Sequence, residues 1–248
     1  MTEKRRTLLS VPVDPLPPAE FLARLNTALL TPGIKTVFAI NPEKIMRAQK
    51  DPQLLDALLS SEFLIPDGIG TAIGLRLFYG EKVPRTTGIS LMGSLLDLAA
   101  AKGYGVFLFG ARPHTNRLAA EKILDRHPAL RLAGLQDGYL PAEDYPRLIA
   151  EINSSGADLL FVGLGSPLQE KWINRFRRDL KTKVCMGVGG SLDVIAGAIP
   201  GAPRLIMRLG LEWIYRLIRE PRRARRQLVL PKFIFTLLRK RFLVGGEK

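Results

Sequence analysis

The sequence is poor in the residues that many catalytic and structural devices need. It has one cysteine, Cys185, so no disulfide can form within the chain, and a reducing compartment fits that usage. Its two histidines, His114 and His127, fall in no zinc-ligand pattern. No Asp-x-Asp triplet occurs, so the acidic device by which many nucleotide-sugar enzymes hold a metal–diphosphate is missing. There is no Gly-x-Ser-x-Gly elbow for a serine nucleophile. No apolar run reaches the ~18–20 residues of a membrane span. The nearest candidate, Gln227 to Leu238, is short and carries Pro231 and Lys232. The basic stretch from Met1 to Ser10 leads into Pro12, Asp14, Pro15, Pro17 and Pro18, so no signal peptide is expected.

What the chain has is apolar content and positive charge. Hydrophobic residues make up 46% of its 248 residues, enough for a sizeable core. The formal net charge is +14, and most of the excess lies at the end. From Pro200 onward there are thirteen cations against Glu212, Glu220 and Glu247. Such a block wants an anionic partner: phospholipid, nucleic acid or a polyphosphate. Leu211, Ile214, Tyr215 and Ile218 recur at helical spacing, which predicts an amphipathic helix, and Pro221 ends or kinks it. The chain therefore divides into an α/β catalytic domain, residues 1–200, and a basic amphipathic appendage, residues 201–248. The appendage suits an anionic membrane surface that the protein lies on and does not cross.

Apolar runs alternate with helical patterns in the first domain. Strands are expected at Lys35–Ile40, Phe63–Ile65, Tyr104–Phe109, Leu130–Leu135, Asp158–Val162 and Lys183–Met186. Helices are expected at Ser90–Lys102, Thr115–His127, Ala142–Ser154 and Leu168–Asp179. This alternation predicts a mostly parallel sheet with helices on both faces.

In such sheets ligands bind beyond the carboxyl ends of the strands. The unusual polar and glycine residues stand there: Asn41, Asp67, Gly110 with Arg112, Gly163 and Gly165 with Gln169, and Gly187 to Ser191 with Gly189 among them. Glycine at a strand end lets a ligand approach backbone N–H groups. Each feature also has a plain structural reading. Asp67-Gly68 can be a turn, Asn41-Pro42 a helix start, and Gln169 and Glu170 first-turn residues. Without a metal device, a bound diphosphate must be neutralised by arginine and backbone amides.

Two other functional classes fit parts of the pattern. A basic nucleic-acid-binding protein would explain the charge, but no RRM, KH, zinc-finger or helix-turn-helix signature is present and aromatics are only 7%. A nucleotide-cofactor oxidoreductase would use a similar sheet, but the first strand ends in Asn41-Pro42-Glu43 and not in a Gly-x-Gly-x-x-Gly turn.

The ordered blocks Asn41-Pro42-Glu43, Pro66-Asp67-Gly68-Ile69-Gly70, Arg85 ahead of Thr87-Gly88, Phe107-Leu108-Phe109-Gly110 and Gly138-Tyr139 continue into Gly163–Trp172, Gly187–Asp193 and Gly210–Leu217. In this order and spacing the chain resembles the WecG/TagA/CpsF glycosyltransferase family, from about Val37 to the basic tail. The resemblance implies a Rossmann-like domain with a C-terminal appendage. It implies metal-independent, inverting transfer from a UDP-sugar donor to an undecaprenyl-diphosphate-linked acceptor at the inner face of the cell membrane, with no cofactor and no nucleic acid. It gives Asp67 as general base and Arg85 as a pocket arginine. Asn41 and Gln169 become pocket polar residues. Arg216, Arg223 and Arg226 become appendage arginines that close over the site. A homo-oligomer is left open. Many members have threonine where this chain has Ala39, which bears on the donor sugar.

Overall fold

The computed structural model describes residues 5–83, 86–198 and 229–245. A hairpin of β1 (Arg6–Leu8) and β2 (Val11–Val13) precedes α1 (Pro18–Leu29) and β3 (Lys35–Ile40). Then come α2 (Pro42–Ala48), α3 (Pro52–Leu59), β4 (Phe63–Pro66), α4 (Gly68–Tyr79) and α5 (Gly88–Lys102). The chain continues with β5 (Gly105–Gly110), α6 (Pro113–Arg126), β6 (Arg131–Gln136), a 3-10 turn at Ala142–Asp144 and α7 (Tyr145–Ser154). It goes on through β7 (Leu159–Gly163), α8 (Leu168–Phe176), β8 (Val184–Gly187) and α9 (Ser191–Ala196), and a last described helix, α10, spans Val229–Gly245.

Six strands form one parallel sheet in the order β4-β3-β8-β7-β5-β6. The expected mostly parallel, Rossmann-like sheet with flanking helices is what the structure has. Successive strand residues face opposite sides, so each apolar strand feeds two cores. Phe38, Phe107, Phe109, Leu160 and Cys185 pack with α2, α3, α7, α8 and α10. Val37, Val106, Leu108, Phe161 and Met186 pack with α1, α5, α6 and α9.

Short polar side chains start several helices. The Asn41 side chain accepts from the Lys44 N–H at 2.9 Å, Asp51 from Leu54 at 3.1 Å and Thr87 from Ser90 at 3.2 Å. The expected strands lie within about a residue of their observed places. Two helices start earlier than expected, α5 at the Thr87 cap and α6 at Pro113, which suits the first helical position. Helix α8 ends at Phe176 and not at Asp179.

The N-terminal hairpin covers one edge of the sheet. The Leu64 N–H donates to Asp14 Oδ2 at 2.7 Å, the Asp14 N–H donates to the Leu64 carbonyl at 2.9 Å, and Arg5 Nε lies 2.7 Å from Asp14 Oδ1. Edge β4 is thereby shielded from strand addition.

Helix α10 docks beside this hairpin on α2 and α4. Phe233 and Leu237 are fully buried, whereas Lys232, Phe235, Arg239 and Lys240 are exposed. Gly74 on α4 makes room for this packing: a Cβ there would lie 3.1 Å from Leu8, 3.2 Å from Leu237 and 3.3 Å from Phe233. No helix among the described residues is long and apolar enough to cross a membrane. The boundary expected at residues 200/201 and the helix expected at Leu211–Ile218 lie outside the described residues.

Candidate active site at the carboxyl edge of the sheet

Strands β5 and β7 are neighbours, yet the chain leaves them in opposite directions. From β5 it runs outward through α6 to β6, on one face; from β7 it runs through α8 to β8, on the other. A crevice opens where they part, the usual ligand position in this architecture. The Ala111 N–H donates to the Gly163 carbonyl at 3.0 Å, and the Gly138 N–H donates to the Ala111 carbonyl at 2.8 Å. Ala111 has φ +59°, a left-handed conformation that a side chain rarely adopts. Buried Asn116 on α6 holds the turn by donating to the carbonyls of Gly110 (2.8 Å) and Gln136 (3.1 Å).

The crevice is a cavity of about 890 Å³. Ala111, Arg112, Gly138, Gly163 and Asp193 form its edge, while Leu168, Lys171, Trp172 and Arg175 of α8 form a wall. Its floor is aromatic: the Trp172 ring centroid lies 5.0 Å from that of Phe109, 6.0 Å from Tyr145 and 5.3 Å from Phe176. Tyr139 lines the mouth and is 69% exposed. Lys171 Nζ lies 2.8 Å from Asp51 Oδ2, and this bond holds the Asp51 carboxyl below its ordinary range. Arg112 stands at the start of α6, where the helix dipole also favours an anion. A flat exposed ring, an acid, glycine turns and three cations suit a nucleoside diphosphate.

A second group of polar side chains lies where β3, β4 and β8 end. The Asp67 N–H donates to the Ile40 carbonyl at 2.9 Å, which sets the start of α4 beside Asn41. The half-buried Asp67 occupies the cap position of α4, but its side chain makes no capping bond to that helix. Asn41 uses its side-chain oxygen to cap α2. Gln169, 2% exposed in the first turn of α8, has both ends of its amide engaged: Oε1 accepts from the Gly189 N–H at 2.9 Å, and Nε2 donates to Glu170 Oε1 at 2.9 Å. Glu170 in turn pairs with Lys44, Nζ to Oε1 2.7 Å.

The two groups meet through glycine. A Cβ on Gly163 would lie 3.1 Å from the Gly189 carbonyl oxygen, so Gly110, Gly163, Gly189 and Gln169 form a continuous line. Gly165 has φ +77° and open space around it. Arg85, Arg216, Arg223 and Arg226 lie outside the described residues. Sequence reasoning missed Lys44 and Asn116, because a lysine and an asparagine near the starts of helices read as solvated. Tyr139 and Asp193 sit within the family-like blocks Gly138-Tyr139 and Gly187–Asp193, where nothing local marks them for a role. Among the described residues no three His, Cys, Asp or Glu side chains gather at ligand spacing.

Comparison with known proteins shows the family. The pattern of the glycosyl transferase WecG/TagA/CpsF family matches residues 6–245. A Bacillus subtilis protein named N-acetylglucosaminyldiphosphoundecaprenol N-acetyl-beta-D-mannosaminyltransferase is 37% identical over 204 residues, covering 82% of this chain and 79% of that protein. A Bacillus spizizenii protein of the same name is 36% identical over 221 residues, covering 88% and 85%. With its parallel sheet, its glycine-lined crevice and a match over nearly its whole length, the chain belongs to the WecG/TagA/CpsF family of glycosyl transferases.

Proposed function

We propose that the chain transfers an N-acetylmannosaminyl group from a UDP-linked donor to an N-acetylglucosaminyl-diphospho-polyprenol acceptor, without a metal, at the inner face of the cell membrane. The observation that carries this reading is the crevice between β5 and β7. It offers a ring for a nucleobase in Tyr139, and Arg112, Lys171 and Arg175 for a diphosphate. The acceptor and the transferred sugar follow the printed names of the two Bacillus relatives. The family replaces the nucleic-acid-binding and oxidoreductase readings.

The β configuration in those names fits a single inverting displacement of an α-linked leaving group. In that step the acceptor hydroxyl oxygen bonds to the sugar's anomeric carbon. The bond from that carbon to the diphosphate oxygen breaks, and UDP leaves with the electron pair. The hydroxyl proton goes to a base, and Asp67 at the end of β4 is the carboxylate proposed for it. Charge grows on the leaving diphosphate, where cations held out of bulk water stabilise it most. Arg85 and the appendage residues Arg216, Arg223 and Arg226 are proposed to join this set. The exposed face of α10, with Lys232, Phe235 and Arg239, supports contact with an anionic bilayer. The test is UDP release across a panel of UDP-sugars with a short-chain lipid-diphosphate N-acetylglucosamine. Turnover with the N-acetylmannosamine donor is expected; no release with any donor, and no UDP binding, would refute the reading.

A further inference from the structure

Lys44 and Glu170 are buried charges that the reaction above does not use. The Lys44 side chain is 5% exposed and that of Glu170 is fully buried, with Nζ 2.7 Å from Oε1. Lys44 Nζ also donates to the Ala39 carbonyl at 2.6 Å, and its backbone N–H is held by Asn41. Glu170 Oε1 accepts from Gln169 Nε2, and Gln169 Oε1 accepts from the Gly189 N–H. The chain of contacts therefore crosses from β3 to α8 and on to the turn after β8. It passes over the end of β8 at Gly187, where a Cβ would lie 2.6 Å from Gln169 Nε2.

Stability does not explain this arrangement. Desolvating two charges costs about as much as their attraction returns, and apolar pairs of similar volume often do as well. Glu170 Oε2, moreover, is buried with no hydrogen-bond partner among the described residues. What the pair does supply is direction. An amide can rotate by half a turn and exchange its N and O. A fixed acceptor at Nε2 selects the one orientation that leaves Oε1 facing Gly189.

We propose that Lys44 and Glu170 are positioning residues. The pair sets the side-chain amide of Gln169, and Gln169 sets the glycine turn after β8 against which the donor is received. The donor part of this proposal rests on the function proposed above; the positioning part does not.

The test uses the full chain with Lys44→Met and Glu170→Met combined, an apolar pair that keeps volume and removes the acceptor. Melting temperature reports that the variant is folded. Amide hydrogen exchange at Gly189 is expected to speed up by roughly tenfold, the loss of one net hydrogen bond. Lys44→Met with Glu170→Gln restores a neutral acceptor for Gln169 and is expected to restore protection at Gly189. In the Met–Met variant, donor KM should rise more than kcat falls. Unchanged protection at Gly189 overturns the positioning role, whether or not the chain is a transferase. Faster exchange with an unchanged donor KM overturns the link to the donor. A wild-type chain that turns over no UDP-sugar overturns the function reading alone, because the exchange result stands without it.

Discussion

Gly110 at the end of β5 and Gly163 at the end of β7 leave no room for a side chain between them. A Cβ on Gly110 would lie 2.5 Å from the Gly163 carbonyl oxygen, and Gly110 has φ +130°. Both the contact and the backbone angle require glycine. Gly110→Ala is therefore expected to destabilise the protein by about 3 kcal/mol or more and to weaken UDP binding. Gly165→Ala meets only the cost of its left-handed angle, roughly 1–2 kcal/mol. Melting temperature and UDP titration should rank Gly110→Ala as the more damaging; equal effects would show that the crevice does not depend on this close approach.

Asp67→Asn keeps the shape of the side chain and removes its capacity to accept a proton. Because Asp67 makes no side-chain capping bond to α4, that helix should start unchanged. A fall in kcat of ~10²–10⁴ with little change in UDP affinity is expected for a lost general base. Near-normal turnover would assign the base elsewhere.

The legible parts of this fold were those governed by local pattern. Strands β3, β4, β5, β7 and β8 could be read because both their faces are largely buried, so each is a short apolar run; β6, an edge strand with no buried residue, shows only its alternation with the helices around it. Helix α4 was missed because Gly68, Gly70 and Gly74 weaken its helical signal, and the reason for two of them is tertiary. A Cβ on Gly70 would lie 2.4 Å from Pro42 and 2.6 Å from Leu230, and Gly74 faces Leu8 and Phe233. The β1–β2 hairpin has three residues per strand and a proline in one, too short for alternation to show. In the candidate site, Asn41, Asp67 and Gln169 stand out as polar residues after apolar runs. Lys44 did not, since its pairing with Glu170 joins positions far apart in the chain and leaves no local trace.

Cys185 lies fully buried on β8, between β3 and β7, and burial pushes its thiol well above the ordinary range. A raised pKa means the reactive thiolate is absent at neutral pH and still scarce at pH 9. The native protein is expected to resist a thiol-specific disulfide reagent across that range and to react with one equivalent once denatured. Rapid labelling of the native chain would show that the sheet opens at its centre.

Activity should survive a chelator. The sequence has no Asp-x-Asp, and no cluster of three potential ligands occurs among the described residues. Charge on the departing diphosphate then falls to arginine and lysine. Turnover assayed with EDTA should match the untreated rate; loss on chelation with recovery on adding magnesium or manganese would assign part of that charge to a metal.

Two phenylalanines on α10 separate a core role from a membrane role. Phe233 and Leu237 are a helical turn apart and buried against α4, while Phe235 is 68% exposed. Lys232, Phe235 and Arg239 recur at three and four residues, so they share the outer face. Phe233→Ala should therefore cost about 3–5 kcal/mol in stability. Phe235→Ala should change stability by no more than about 0.5 kcal/mol. It removes a large exposed apolar side chain from that face, so binding to anionic vesicles should weaken. Each exposed cation near such a surface contributes about 1 kcal/mol, so Lys232→Ala with Arg239→Ala should weaken binding further and make it less salt-dependent. Removing residues 229–248 should lower the melting temperature as well as vesicle binding, because Phe233 and Leu237 leave with the tail. Vesicle sedimentation together with thermal melts reads both effects. If Phe235→Ala and the paired cation variant bind vesicles as well as the unaltered chain, the outer face of α10 is only a solvated surface.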